Sequence, residues 1–134
     1  MKLTDYRAFL LALAAMFFSV AVASADEIVS GYGDARDPEV LARLIEEARD
    51  EFLLIDVRSP GEYAAGHIPT AENTDYRVIG DRMADGDRDV PVVVYCRSGN
   101  RSGRAARTLS RLGYTIVDFG GISRWDGPIV EAAR

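Results

Sequence analysis

Apolar residues along this chain fall into two alternating patterns, one at helical spacing and one in short continuous runs. Val40, Leu41, Leu44, Ile45 and Ala48 recur on one face behind Asp37-Pro38, an N-cap residue followed by proline at the first helical position. This predicts an amphipathic helix. Phe52-Leu53-Leu54-Ile55-Asp56-Val57 follows as a nearly unbroken apolar strand, the form expected when both faces of a sheet are covered. Ser59-Pro60-Gly61-Glu62 has capping-box spacing and opens a short helix through Ala65, which Gly66 stops. A short strand over 71–73 and a weak helix over 76–83 come next, and Asp85-Gly86-Asp87 reads as a turn. Val90-Pro91-Val92-Val93-Val94-Tyr95 is a buried strand by its β-branched and aromatic content. The residues 96–103 read as a loop, and 104–112 as a helix ended by Gly113. Thr115-Ile116-Val117-Asp118-Phe119 is the last strand, and Gly120-Gly121 leads into a final turn near Trp125. Strands alternating with helices imply an α/β fold: a central parallel sheet with helices on both faces.

Cys96 is the only cysteine, and it stands where the apolar run Val90–Tyr95 gives way to Arg97-Ser98-Gly99-Asn100-Arg101-Ser102-Gly103. A strand, a short loop and a helix place its sulfur at the carboxyl end of the sheet, facing a helix N-terminus. Successive backbone N–H groups there form an anion-binding concavity. A free thiol titrates near ~8.5, so about 3% is thiolate at neutral pH, whereas helix N-termini and nearby arginine lower that value to roughly 3.5–7.5. Arg97 and Arg101 are expected to supply positive charge, and Gly99 the turn that points the backbone inward. A core cysteine is seldom followed at once by a polar, glycine-rich segment bearing two arginines. The pattern points to a reactive nucleophile.

The first residues predict export. Lys2 and Arg7 precede an apolar stretch from Phe9 to Val22, and Ala23-Ser24-Ala25 gives a small-x-small cleavage pattern. Residues 1–25 are expected to be a cleaved signal peptide and 26–134 a single domain, exported or periplasmic. In an oxidising compartment a lone thiol cannot form an internal bridge, so its presence argues for chemistry. The chain carries 16 basic and 21 acidic residues. Without Lys2, Arg7 and Asp5 there remain 14 arginines against 20 acids, a net charge of −6. That balance disfavours nucleic acid and, once the signal is removed, an anionic membrane as partners. Attraction for a small anion must then be local to the cysteine loop.

Three motifs in order carry a resemblance. Leu54-Ile55-Asp56-Val57-Arg58-Ser59-Pro60-Gly61-Glu62-Tyr63 with Gly66-His67-Ile68-Pro69, then Val93-Val94-Tyr95-Cys96-Arg97-Ser98-Gly99-Asn100-Arg101-Ser102, then Phe119-Gly120-Gly121-Ile122 with Trp125, resemble the rhodanese domain. With one domain and a signal peptide, the chain looks most like the periplasmic single-domain members of the phage-shock-protein-E type. The resemblance implies a single rhodanese-like α/β domain and a thiosulfate sulfurtransferase. Cys96 would take the outer sulfur of thiosulfate as a persulfide and pass it to cyanide or a thiol in ping-pong fashion. Arg97, Ser98, Gly99, Asn100, Arg101 and Ser102 would bind the anionic donor. Asp56 and Arg58 are read from their own place at the carboxyl edge of their strand, where function gathers, as structural support of the site, with Asp56 capping backbone amides and Arg58 pairing with Glu62. No metal or other cofactor is called for, and a monomer is expected. Thr70 departs from the family pattern, standing where glycine is common.

Several residues have plainer readings. His67 is expected to hydrogen-bond within its turn, and Trp125 to be core. Asn100-Arg101-Ser102 matches a glycosylation acceptor by coincidence, since modification would block the loop. Two other function classes fit the cysteine loop: a phosphatase or arsenate reductase, and a non-catalytic sulfur-carrier or redox-binding module. The resemblance separates the first by loop length, because relatives acting on phosphate or arsenate have one more residue than the six from Cys96 to Arg101.

Overall fold

The computed structural model describes residues 27–133, so the expected signal peptide at 1–25 lies outside the described residues. Helix α1 spans Pro38–Glu47, with the Asp37 carboxylate accepting from the Glu39 amide at 2.8 Å. Strand β1 is Leu53–Asp56 and α2 is Pro60–Ala65. The capping box forms as expected: Ser59 Oγ accepts from the Glu62 amide, and the Glu62 carboxylate accepts from the Ser59 amide. Then follow β2, Glu72–Asn73; α3, Ile79–Arg82; β3, Val92–Cys96; α4, Asn100–Arg111; β4, Ile116–Gly121; and a 3₁₀ turn, Ile122–Arg124.

The four strands form one parallel sheet in the order β2-β1-β3-β4. Period-two alternation sends their side chains to opposite faces. Leu54, Val93, Tyr95, Val117 and Phe119 pack with Leu41, Leu44 and Ile45 of α1. Ile55, Val92, Val94 and Cys96 pack with Ile79 of α3 and with Ala105 and Leu109 of α4. All five residues of β3 are buried, as a central strand covered on both faces requires. The expected class, a single rhodanese-like α/β domain with helices on both faces, is the one found.

The helix expected over 76–83 is the single turn Ile79–Arg82, Cys96 closes β3 and does not open the loop, and two further boundary differences bear on the site. Helix α4 begins at Asn100, not Arg104. Gly99 takes the left-handed conformation (φ 102°), which turns the chain so sharply that its carbonyl already accepts the Gly103 amide at 3.1 Å. The Asn-Arg-Ser-Gly run reads as loop by composition yet supplies the first helical turn. Strand β4, for its part, continues through Gly120-Gly121. The register of β3 on β4 shifts between Val94, opposite Asp118, and Tyr95, opposite Gly120, leaving Phe119 as the extra residue of a bulge. Gly120 has φ 91°, and its amide donates to Asp118 Oδ1 at 2.9 Å.

Thr70, which stands where glycine was expected, has φ 69° and is the only non-glycine residue with positive φ among the described residues. The tail closes back on the domain. His67 and Val130 exchange two backbone hydrogen bonds of 2.9 Å, and the Ala132 amide donates to the Ala64 carbonyl at 3.1 Å.

Candidate active site

Cys96 ends β3 at the carboxyl edge of the sheet and is 1% exposed. The chain then turns over its own sulfur. The Gly99 amide donates to Sγ at 3.0 Å, and Ser102 Oγ lies 3.5 Å from it on the first turn of α4. Ser102 is fully buried and also bonds the Gly99 carbonyl (3.1 Å) and the Gly120 carbonyl (3.4 Å). The thiol donates to the serine oxygen. Once the sulfur is ionised, the same hydroxyl can rotate and donate to it.

Two opposing effects set the acidity of Cys96. Burial raises its pKa, and hydrogen bonds from the Ser102 hydroxyl and the Ser102, Gly99 and Ser98 amides lower it. The hydrogen bonds win, and the thiol titrates below its ordinary value. Arg101 adds to this through its charge, since it and the Cys96 thiolate favour one another. Arg97 is exposed. Arg101 makes two hydrogen bonds to Glu62, Nη1 to Oε2 at 2.7 Å and Nη2 to Oε1 at 2.8 Å. This bidentate pair holds the Glu62 carboxyl down at about 2.

The structure thus brings Cys96, Gly99 and Ser102 into contact and sets Ser98, Asn100 and Arg97 around the rim, all three exposed. Arg101 is half-buried between the loop and α2. Glu62 was expected to pair with Arg58, and its bond to Arg101 is what sequence reasoning missed. Its position in the capping box gave it a complete local role, yet one carboxylate serves Ser59 and Arg101 together.

Asp56 and Arg58 stand beneath the site, but not as expected. Arg58 pairs with Asp56 and not with Glu62: its Nε and Nη2 reach the Asp56 carboxylate at 2.9 and 2.6 Å. Both residues are buried. Asp56 does cap one amide, that of Arg58, at 2.9 Å. Arg58 Nη2 continues to the Gly66 carbonyl at 2.6 Å, and its guanidinium lies 5.8 Å from the centre of the Tyr95 ring. The Tyr95 hydroxyl accepts from the Ile68 amide at 3.1 Å. Since Asp56 and Tyr95 are register partners, this network fixes the strand ends one residue before Cys96.

His67 has the local role expected of it. Its Nδ1 lies 2.9 Å from the Tyr63 carbonyl, and its ring stacks on Tyr63 at 3.7 Å. Trp125 is core, edge-on to Phe119. Ser102, the third position of the Asn-Arg-Ser match, is buried in the helix.

Gly121 forms the wall of the loop. A Cβ there would lie 2.7 Å from the Arg97 carbonyl oxygen and 3.0 Å from Ser98 Cα, so only glycine lets β4 approach so closely. Sequence could have marked it: two adjacent glycines at a strand end signal close backbone approach.

A parallel sheet that presents a lone cysteine at its carboxyl edge, under the amides of a tight loop and helix start, defines an α/β domain centred on one cysteine. Residues 37–127 match the model of the rhodanese-like domain, and the chain belongs to that family. It is 40% identical over 91 residues to a sulfurtransferase of Allochromatium vinosum, covering 66% of this chain and 84% of that protein. It is 42% identical over 78 residues to the uncharacterized protein YqhL of Bacillus subtilis, covering 57% of this chain and 62% of that protein. Among solved structures, a rhodanese with anions from E. coli superposes with a TM-score of 0.56 at 35% identity, covering 60% of this chain and 98% of that one. A rhodanese-related protein of Thermoplasma volcanium gives 0.57, also at 35% identity, over 66% of this chain and 92% of that one.

Proposed function

We propose that the protein is a thiosulfate sulfurtransferase working through a persulfide on Cys96. The observation that carries this reading is the sulfur itself, 1% exposed and hydrogen-bonded by the Gly99 amide and Ser102. The Cys96 thiolate attacks the outer sulfur of thiosulfate. The sulfur–sulfur bond of the donor breaks, sulfite leaves with the bonding pair, and the new terminal sulfur carries the negative charge. Attack on sulfur needs a thiolate but no general base, in keeping with a histidine that is committed elsewhere. The loop amides stabilise the anionic persulfide, and Arg97 attracts the sulfonate from the rim. Arg101, kept charged first by its hydrogen bonds to Glu62 and further by the charge of Cys96, offers its positive charge to the incoming donor. In the second half-reaction cyanide or a thiolate takes the outer sulfur, and Cys96 departs as thiolate. The relative named a sulfurtransferase supports the reaction class. Export to the periplasm is part of the proposal, resting on the pattern of residues 1–25.

A buried sulfur under a six-position loop favours a donor that presents one protruding atom over a phosphoryl group that must be surrounded. Purified protein should therefore turn over thiosulfate with cyanide and leave aryl phosphates unhydrolysed. Faster hydrolysis of an aryl phosphate than use of thiosulfate would replace this reading with that of an oxyanion hydrolase. Inactivity toward both would favour a carrier or binding module.

A further inference from the structure

The charge of this acidic chain is divided in sequence and in space. Between Val90 and Val117 it holds Arg97, Arg101, Arg104, Arg107 and Arg111 and no acidic residue. Of the acids from 27 to 133, only Asp118, Asp126 and Glu131 follow position 89. Helix α4 buries Ser102, Ala105 and Leu109. Asn100, Arg104, Arg107 and Arg111 recur at spacings of four, three and four on the opposite face, and all are exposed. They form a ridge about 16 Å long, from 1.5 Å of rise per residue. It starts in the cysteine loop, because Asn100 opens the helix beside Gly99.

One acid among the described residues, Asp118, comes near this ridge, beside Arg107. Among the described residues, Arg104, Arg107 and Arg111 form no ion pair. Arg104 instead lies over the Tyr76 ring at 5.3 Å. Asp118 Oδ2 and Arg107 Nη1 lie 3.5 and 3.7 Å from where a Cβ on Gly103 would stand, without forming an ion pair, and Asp118 Oδ1 accepts the Gly120 amide. Two acids near the mouth, Glu62 and Asp75, are taken up by Arg101 and Arg77.

We propose that the α4 ridge docks an acidic thiol protein, whose cysteine then takes the outer sulfur from Cys96. The proposal rests on the sulfurtransferase reading for the transfer and on the ridge alone for the docking. In the transfer the acceptor thiolate bonds the outer sulfur, the persulfide bond breaks, and Cys96 leaves as thiolate, so no oxidant or reductant is consumed. A protein suits the surface better than a nucleic acid. The ridge is one helix long and the remaining surface is acidic, which repels an extended polyphosphate. A thiol acceptor, by contrast, must come to the mouth where the ridge begins.

The docking can be tested without sulfur loading. Two twelve-residue peptides each carry a pyridyl-disulfide-activated cysteine at one end, with four glutamates or four lysines beyond it. Attack by Cys96 forms a mixed disulfide and releases thiopyridone, which gives the rate. At low salt the acidic peptide should react at least about tenfold faster than the basic one, as steering by a local field allows. The preference should shrink to within about twofold near 1 M salt, where the screening length is about 3 Å. Combining Arg104→Glu, Arg107→Glu and Arg111→Glu should abolish the preference while leaving the reaction with a neutral activated disulfide unchanged. The corresponding triple change to Gln serves if the first variant does not fold. A preference that survives these substitutions, or is absent from the wild type, would overturn the proposal. So would loss of the preference on adding a stoichiometric oligothymidylate, which would assign the ridge to nucleic acid. Failure of thiosulfate to load Cys96 would defeat the sulfurtransferase reading and leave this result legible.

Discussion

At the scale of residues, Cys96 is governed by groups within one turn of it. Its pKa is lowered although burial pushes it up, because Ser102 and the loop amides hydrogen-bond the charged form more strongly. The thiolate therefore persists below the pH at which an ordinary cysteine protonates, and is lost only as pH falls through the lowered value. Alkylation by iodoacetamide, followed against pH, should show a midpoint below that of a free cysteine, and Ser102→Ala should move it upward. A midpoint unchanged by that substitution would show that the serine does not set the acidity. Arg101 acts at one remove. Arg101→Ala should lower thiosulfate turnover by about tenfold, roughly 1.4 kcal/mol of transition-state stabilisation, with the fold retained. A folded variant with wild-type turnover would assign anion binding to the amides and Arg97. The place of Cys96 at the strand end under the loop was legible from sequence, because a strand, a loop and two arginines meet there. The pairings were not: Glu62 is three positions from Ser59 and four from Arg58, and only the fold brings Arg101 to it.

The elements explain how the loop keeps its shape. The sheet pattern, the capping box of α2 and the N-cap of α1 could be read in advance, because each is a local sequence rule with one solution. The start of α4 could not, since Asn, Ser and Gly favour loops and only the left-handed Gly99 shows that the helix has begun. The bulge at Phe119 was likewise hidden, because it is a matter of register between two strands. It is what carries Gly121 against the loop. Gly121→Ala would place a methyl group 2.7 Å from the Arg97 carbonyl, so the loop must move. Thiosulfate turnover should fall by about tenfold or more, a barrier rise of at least 1.4 kcal/mol. Cys96 should lose its low-pH reactivity in step. An active variant with normal alkylation would mean that the amides are not held from behind by β4. Thr70 shows the reverse case, a side chain retained where the backbone favours glycine, at a cost of about 1–2 kcal/mol.

For the whole molecule, the sheet does one thing above all: it sets a single thiol at the carboxyl edge, where the loop ends of β1, β3 and β4 converge. The Asp56–Arg58 pair, Tyr95 and the returning tail tie that edge together from below and from the side. Among the described residues no helix is long and apolar enough to cross a membrane, and no group of His, Cys, Asp and Glu is arranged to hold a metal ion. The chemistry proposed for this domain runs through one sulfur atom, and mass spectrometry reads that atom directly. Intact protein treated with thiosulfate and freed of excess reagent should gain the mass of one sulfur, located on the peptide containing Cys96 and removed by cyanide. Cys96→Ser should gain nothing. A wild-type protein that gains no mass, or a gain that persists in Cys96→Ser, would contradict the persulfide at the centre of this account.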